Sequence, residues 1–223
     1  MQDCKLQDLG SMPYREAWDR QLKLFHQKIE NKKNGVPVTH DLLFVEHPHV
    51  YTFGKSAEKN NMLATPEMLR NIGAEVYEIE RGGDITYHGP GQLVVYPIFD
   101  LEQLQMGVKS FVQAVEMSII QTLKTFEIDA VALDDRIGVW MDVGGKRERK
   151  IAAIGIKCSR FVTMHGLAMN VNTDLSMFGN IVPCGIPDKE VTSMKKELNR
   201  QIDMEVVKNE MGKQFAHIFG LKY

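Results

Sequence analysis

Helix-patterned and strand-patterned segments follow one another along this chain without regular strand–helix–strand alternation. That irregularity limits the fold, because a doubly wound nucleotide-binding sheet needs the repeating rhythm and a mixed sheet does not. The spacing of Tyr14, Ala17, Trp18, Leu22, Phe25 and Ile29 predicts an amphipathic helix over 13–30, stopped by Asn34 and Gly35. Short apolar runs at 42–45 and 51–53 predict strands on either side of a turn at His47, Pro48 and His49. Thr65, Pro66 and Glu67 start a short helix that ends at Gly73, and 75–80 reads as a strand. A glycine-rich connection over 81–92 then leads into a strand over 92–99. The strongest helix is 108–126, where Val112, Val115, Ile119, Leu123 and Phe126 form one stripe. Strands are predicted at 130–133, 138–141, 150–156 and 161–171, with Val143, Gly144, Gly145 and Lys146 as a hairpin turn. A last helix over 204–219 turns Val207, Met211, Phe215 and Ile218 inward. The expectation is an α/β (α+β) mixed-sheet fold, with 1–223 forming a single domain.

A chain of 223 residues, 43% hydrophobic and 25% charged, can bury one sizeable core. Its formal charge of −2 supplies no global positive field, so neither nucleic acid nor an anionic membrane is expected as partner. Cys4, Cys158 and Cys184 are far apart and form no CxxC pair, which argues against zinc and a redox couple. Reduced thiols, no apolar leader core and no membrane-length apolar run together predict a cytoplasmic enzyme.

Among the thiols, Cys184 stands between Pro183 and Gly185. Pro fixes φ and Gly permits unusual backbone geometry, so this turn can present a nucleophile. An unperturbed thiol, with a pKa near about 8.5, is only slightly ionised at neutral pH and needs a nearby cation. Lys150 is the candidate, because it opens the apolar run 150–156 and can point inward while Lys146, Arg147 and Arg149 stay wet. Cys158 sits in a strand-like run without a special turn and ranks below Cys184. Cys4 lies near the start of the chain, in a segment expected to be mobile.

Two further elements can hold a substrate. In the loop over 81–92, Gly82, Gly83, Gly89 and Gly91 allow close backbone approach, while Arg81, Asp84, Thr86, Tyr87, His88 and Gln92 carry polar groups around Ile85. The loop fits neither the P-loop nor the Rossmann pattern, and a plain hairpin connection is the alternative. The run His165, Gly166, Leu167, Ala168, Met169, Asn170 is the second element; His165 is either an acyl-site residue, a polar group behind the site, or a satisfied core histidine. His47 and His49 flank Pro48 with no matching acid or thiol, so no metal site is expected.

Taken in order, these pieces resemble the lipoyl(octanoyl) transferases of the lipoate-protein ligase B type. The resemblance rests on the run from Arg81 to Leu93 with Tyr96 and Pro97, on Lys150 to Gly155, on His165 to Leu175, and on Pro183, Cys184, Gly185. Weaker matches at 9–21, 46–54 and 191–194 extend it over nearly the whole chain to about 198. It implies the fold of the biotin and lipoate ligase catalytic domain and transfer of octanoyl from acyl carrier protein to a lysine of a lipoyl domain. By the match, Cys184 carries the acyl thioester and Lys150 lowers its pKa. Arg81 to His88, then Ala153, Ile154, Gly155, and Gly166, Leu167, Ala168 line the acyl group, with His165 behind them.

No cofactor is implied, since a thioester donor needs no ATP. The implied partners are octanoyl-acyl carrier protein and the lipoyl domains of 2-oxoacid dehydrogenases and the glycine cleavage H protein, served by a monomer. Such partners are acidic, which makes Lys146, Arg147 and Arg149 a candidate docking patch. An ATP-dependent lipoate or octanoate ligase on the same fold is the rival enzyme, and a non-catalytic lipoyl-domain binder is the rival of another class.

Overall fold

The computed structural model describes residues 1–182 and 190–223. In chain order the elements are β1 (Gln2–Ser11), α1 (Tyr14–Lys33), β2 (His40–Glu46), β3 (Val50–Phe53), α2 (Pro66–Asn71), β4 (Glu75–Glu78), β5 (Ile85–His88) and β6 (Gln92–Ile98). There follow α3 (Val108–Lys124), β7 (Val131–Ala132), β8 (Val139–Met141), β9 (Arg149–Ser159), β10 (Val162–Asn170), β11 (Glu190–Val191), α4 (Met194–Leu198), α5 (Met204–Phe219) and β12 (Leu221–Lys222).

Two mixed sheets result among the described residues. The large one runs β12-β1-β2-β6-β10-β9-β8-β7, with β11 paired to β9, and the small one runs β4-β3-β5. In the large sheet β1 is parallel to β2 and β12, β11 is parallel to β9, and the remaining pairs are antiparallel.

Strands β2 and β6 are buried along almost their whole length because helices cover both faces of the large sheet. On one face α1 lays Ala17 and Phe25 against Leu43, Val45, Val94 and Ile98. On the other, α3 and α5 enclose Phe99, Phe111, Phe215 and Phe219 with Leu42 and Val95. Phe99 meets Phe215 and Phe219 edge-on, with ring centroids 6.4 and 5.4 Å apart. The last helix is therefore seated in the same core as the helix over 108–124. A buried ion pair also fastens α1 to the sheet, Lys28 Nζ lying 2.5 Å from Asp41 Oδ2.

Two expectations change. The start of the chain is not loose: Cys4 is 5% exposed, in a strand paired on both edges. Its side chains are mostly polar or exposed, so β1 is held by backbone pairing and leaves little apolar periodicity to read. The glycine-rich stretch is not a simple hairpin connection either, because β5 lies inside it and pairs with β3.

Phe215 has no solvent exposure, so Phe215→Ala removes a full ring from between two helices and the sheet. Denaturant unfolding should show a loss of about 3–5 kcal/mol; a loss under about 1 kcal/mol would mean that α5 is not seated as described.

Candidate active site

The middle of β9 lies against β10 with Gly155 opposite Gly166 and Ala153 opposite Ala168. These small residues leave room for a neighbouring backbone. A Cβ on Gly155 would stand 2.8 Å from Gly82 O, and one on Gly166 only 2.1 Å from Val95 O. The glycine loop uses that room: Gly82 N donates to Ile156 O at 2.9 Å. Arg81, 8% exposed, reaches back to the small sheet, where its Nη2 donates to Thr52 O at 2.7 Å. Between loop and strands opens a cavity of about 630 Å³, within the range of small-ligand sites.

Lys150 lines the cavity at the β8 end of β9. A β-bulge shifts the register by one residue here, pairing Val139 with Ala152 but Trp140 with Lys150. Without the bulge Trp140 would face Ile151. Paired residues share a face, and bulges are a common device for re-aiming a side chain beside a site. Lys150 Nζ accordingly lies 4.5 Å from the centroid of the Trp140 ring. Gly138, at φ +121°, leaves space for the lysine stem: a Cβ there would sit 3.3 Å from Lys150 Cε and 2.8 Å from Ala152 O.

A chain of buried hydrogen bonds joins the glycine loop to the lysine strand. Gln92 Oε1 accepts from His88 Nδ1 at 2.8 Å, and Gln92 Nε2 donates to Asn170 Oδ1 at 2.9 Å. Asn170 Nδ2 donates to Thr192 O at 3.0 Å, and Thr192 N donates to Lys150 O at 2.9 Å. Because Gln92 and Asn170 each use both ends of the side-chain amide, their orientations are determined.

Burial keeps the histidines around this site neutral. It holds His88 down at about 3, with the nearby His47 adding to the effect. It also holds His47 at about 4. His47 Nδ1 lies 2.8 Å from Met12 O, an acceptor, so Nδ1 bears the proton and Nε2 accepts from Tyr96 OH at 2.8 Å. His165 is at about 3 through burial and then the charge of Arg81, and its Nδ1 has no hydrogen-bond partner among the described residues. His165 has φ +60° and lies on β10 before Leu167, where the pairing with β6 begins. Gln21 Oε1, from α1, accepts the His165 backbone N–H.

With this geometry in view, the chain can be set beside known proteins. A family model, the lipoyl protein ligase A/B catalytic domain, matches residues 13–216. The chain belongs to that family. An octanoyltransferase of Bacteroides fragilis (strain YCH46) is 50% identical over 207 residues, covering 93% of this chain and 94% of the relative. An octanoyltransferase of Bacteroides thetaiotaomicron is 44% identical over 217 residues, covering 97% and 96%. Among solved structures, a bipartite lipoate protein ligase from Thermoplasma acidophilum superposes with a TM-score of 0.74 at 16% identity, covering all of this chain (100%) and 86% of that one. A biotin protein ligase from Aquifex aeolicus gives 0.52 at 12% identity, covering 99% and 70%. The mixed-sheet fold expected from the resemblance is the fold found.

Within this lipoyl ligase A/B fold, Arg81, Gly82, Gly83, Asp84, Ile85, Thr86 and His88 line the cavity. So do Ala153, Ile154 and Gly155 from β9, and His165, Gly166, Leu167 and Ala168 from β10. Tyr87 does not: its ring is buried in the small-sheet core against Tyr51 and Phe178, with its hydroxyl 2.8 Å from His49 Nδ1. Cys184 lies outside the described residues. The basic patch is not uniform, because Arg149 makes two bonds to Glu197, at 2.7 and 2.6 Å, while Lys146 and Arg147 are exposed.

Trp140, Ile137 and Arg136 also line the cavity, and sequence reasoning did not single them out. Trp140 fell inside a predicted strand, and nothing in its spacing distinguished a cavity wall from core.

The depressed histidines fix a pH dependence of stability. A group whose folded pKa lies below its unfolded value of about 6.5 leaves the unfolded chain binding more protons as pH falls. His47 and His88 therefore withdraw stability from about pH 6.5 downward, by up to about 1.4 kcal/mol per pH unit each, until their folded pKa values near 4 and 3. Thermal unfolding should show a falling melting temperature from pH 7 to 5, with a shallower slope in His47→Gln. An identical slope in that variant would place the titration elsewhere.

Proposed function

We propose that this chain transfers an octanoyl group from acyl carrier protein to the lysine of lipoyl domains, through a thioester on Cys184. It is an acyltransferase of lipoate biosynthesis, and residues 1–223 act as one catalytic domain. The observation that carries the reading is the shared cavity. The three segments expected to enclose an acyl chain meet there, and Lys150 lines one end. Chain connectivity adds support: Glu190, six residues beyond Cys184, begins β11, which pairs Val191 with Lys150.

The Cys184 thiolate attacks the carbonyl carbon of the octanoyl thioester, and the carrier thiolate leaves and takes up a proton. The neutral amine of the lipoyl lysine then attacks the enzyme thioester. The C–S bond breaks, an amide forms, and the amine's surplus proton leaves with Cys184 thiolate restored. The Lys150 ammonium balances the thiolate charge in the first step and the returning thiolate in the second. The walls at Ala153, Gly155, Gly166 and Ala168 are small, so an extended alkyl chain fits along β9. Selection by length is modest, since one methylene in an apolar pocket discriminates by only about 1–3 kcal/mol.

The names of the relatives at 44–50% identity favour transfer over ATP-dependent ligation. Incubation with octanoyl-carrier and no ATP should yield an octanoyl adduct that peptide mapping assigns to Cys184. Cys184→Ala should give none, and Lys150→Ala should form it roughly 100-fold or more slowly. ATP-dependent attachment of free octanoate by Cys184→Ala would replace this reading with a ligase.

A further inference from the structure

Trp140 has both the proposed catalytic lysine and a second cation near its ring. It is 2% exposed and lines the cavity, and its Nε1 has no hydrogen-bond partner among the described residues. Lys150 Nζ lies 4.5 Å from the centroid of its ring, and the Arg136 guanidinium lies 5.0 Å from it. Arg136 is in turn tied to Glu148, with Nη1 to Oε1 at 2.5 Å. The ring sits on β8 at the bulge that brings it opposite Lys150.

We infer that Trp140 is a positioning residue for Lys150: its indole face seats the ammonium at the end of the cavity and sets where that charge stands relative to the acyl-accepting thiol. The inference rests on the Cys184 and Lys150 roles given above. An ammonium over an indole face is attracted by the ring quadrupole, most strongly where water is excluded. A lysine side chain carries four rotatable bonds, so an unseated ammonium would spread its charge over many positions. The bulge makes the seat specific, because unshifted pairing would offer Lys150 no aromatic partner on β8.

Other charged groups face this corner from each neighbouring element. Asp135 and Arg136 come from the connection between β7 and β8, Glu148 from the approach to β9, and Glu116 from α3, where it accepts Gly138 N–H at 2.9 Å. Arg149 and Glu197 face each other between β9 and α4.

The test compares Trp140→Leu, Trp140→Phe and Lys150→Met by the pH dependence of Cys184 alkylation with iodoacetamide, in a background of Cys4→Ser and Cys158→Ser. Trp140→Leu should raise the pH midpoint and slow alkylation at neutral pH by roughly 3–10-fold. Trp140→Phe, which keeps a π face, should recover most of that rate. A wild-type midpoint in Trp140→Leu, or an equal shift in Trp140→Phe, overturns the inference. A second measurement leaves Trp140 in place: in a Trp18→Phe background, where Trp140 is the one remaining tryptophan, Lys150→Met should change the indole emission. Unchanged emission also overturns it. If Lys150→Met leaves the Cys184 alkylation profile unaltered while indole emission changes, the seat stands and the Cys184–Lys150 mechanism is what fails.

Discussion

The site depends on backbones coming closer than side chains would permit. Gly155 and Gly166 face each other across β9 and β10, and each also has a third backbone within a distance that excludes a Cβ. On one side that backbone is the glycine loop, and on the other it is β6. With glycine at these positions the main chains of the loop and of β6 close against β9 and β10 and wall the cavity beside them. The slot proposed for the acyl group lies along these walls, where an extended alkyl chain needs apolar contact along its length and little width.

Around that slot the fold divides its labour. The apolar cores on the two faces of the large sheet keep β2, β6 and β10 in register, so the walls cannot drift. The amide chain from His88 through Gln92 and Asn170 to Thr192 then ties three distant stretches of sequence to the strand of Lys150. A buried hydrogen bond with one partner removed leaves a desolvated group behind, which makes such a chain stiff. These polar atoms are committed to holding the walls, while His165 Nδ1 is buried with no hydrogen-bond partner among the described residues.

Much of this was legible in the sequence, for physical reasons that differ from residue to residue. The helices around Val115 and Phe215 announced themselves because a half-buried helix imposes a strong period on its apolar residues. Gly82 was legible as a place of close approach because it stands in a glycine-rich loop, whereas Gly155 and Gly166 entered only as lining residues implied by the family resemblance. β1 was missed because it is held mainly by main-chain hydrogen bonds, which leave no mark on side-chain choice. β5 was absorbed into its glycine-rich surroundings. Tyr87 was grouped with its neighbours as a lining residue, but its ring is buried in the small-sheet core against Tyr51 and Phe178. The pairing of Trp140 with Lys150 depends on a one-residue bulge, and no periodicity foretells an extra residue.

The central claim is that the slot between the glycine loop and strands β9 and β10 holds the acyl chain. A crystal structure of the protein carrying an octanoyl group, trapped with a non-hydrolysable octanoyl analogue, tests it most directly. The alkyl density should run from the Lys150 end along Ala153 and Gly155, between Gly82 and Gly166. Density lying instead in a second groove between α3 and β7, lined by Gln113, Met117, Ile120 and Ala132, would contradict the account.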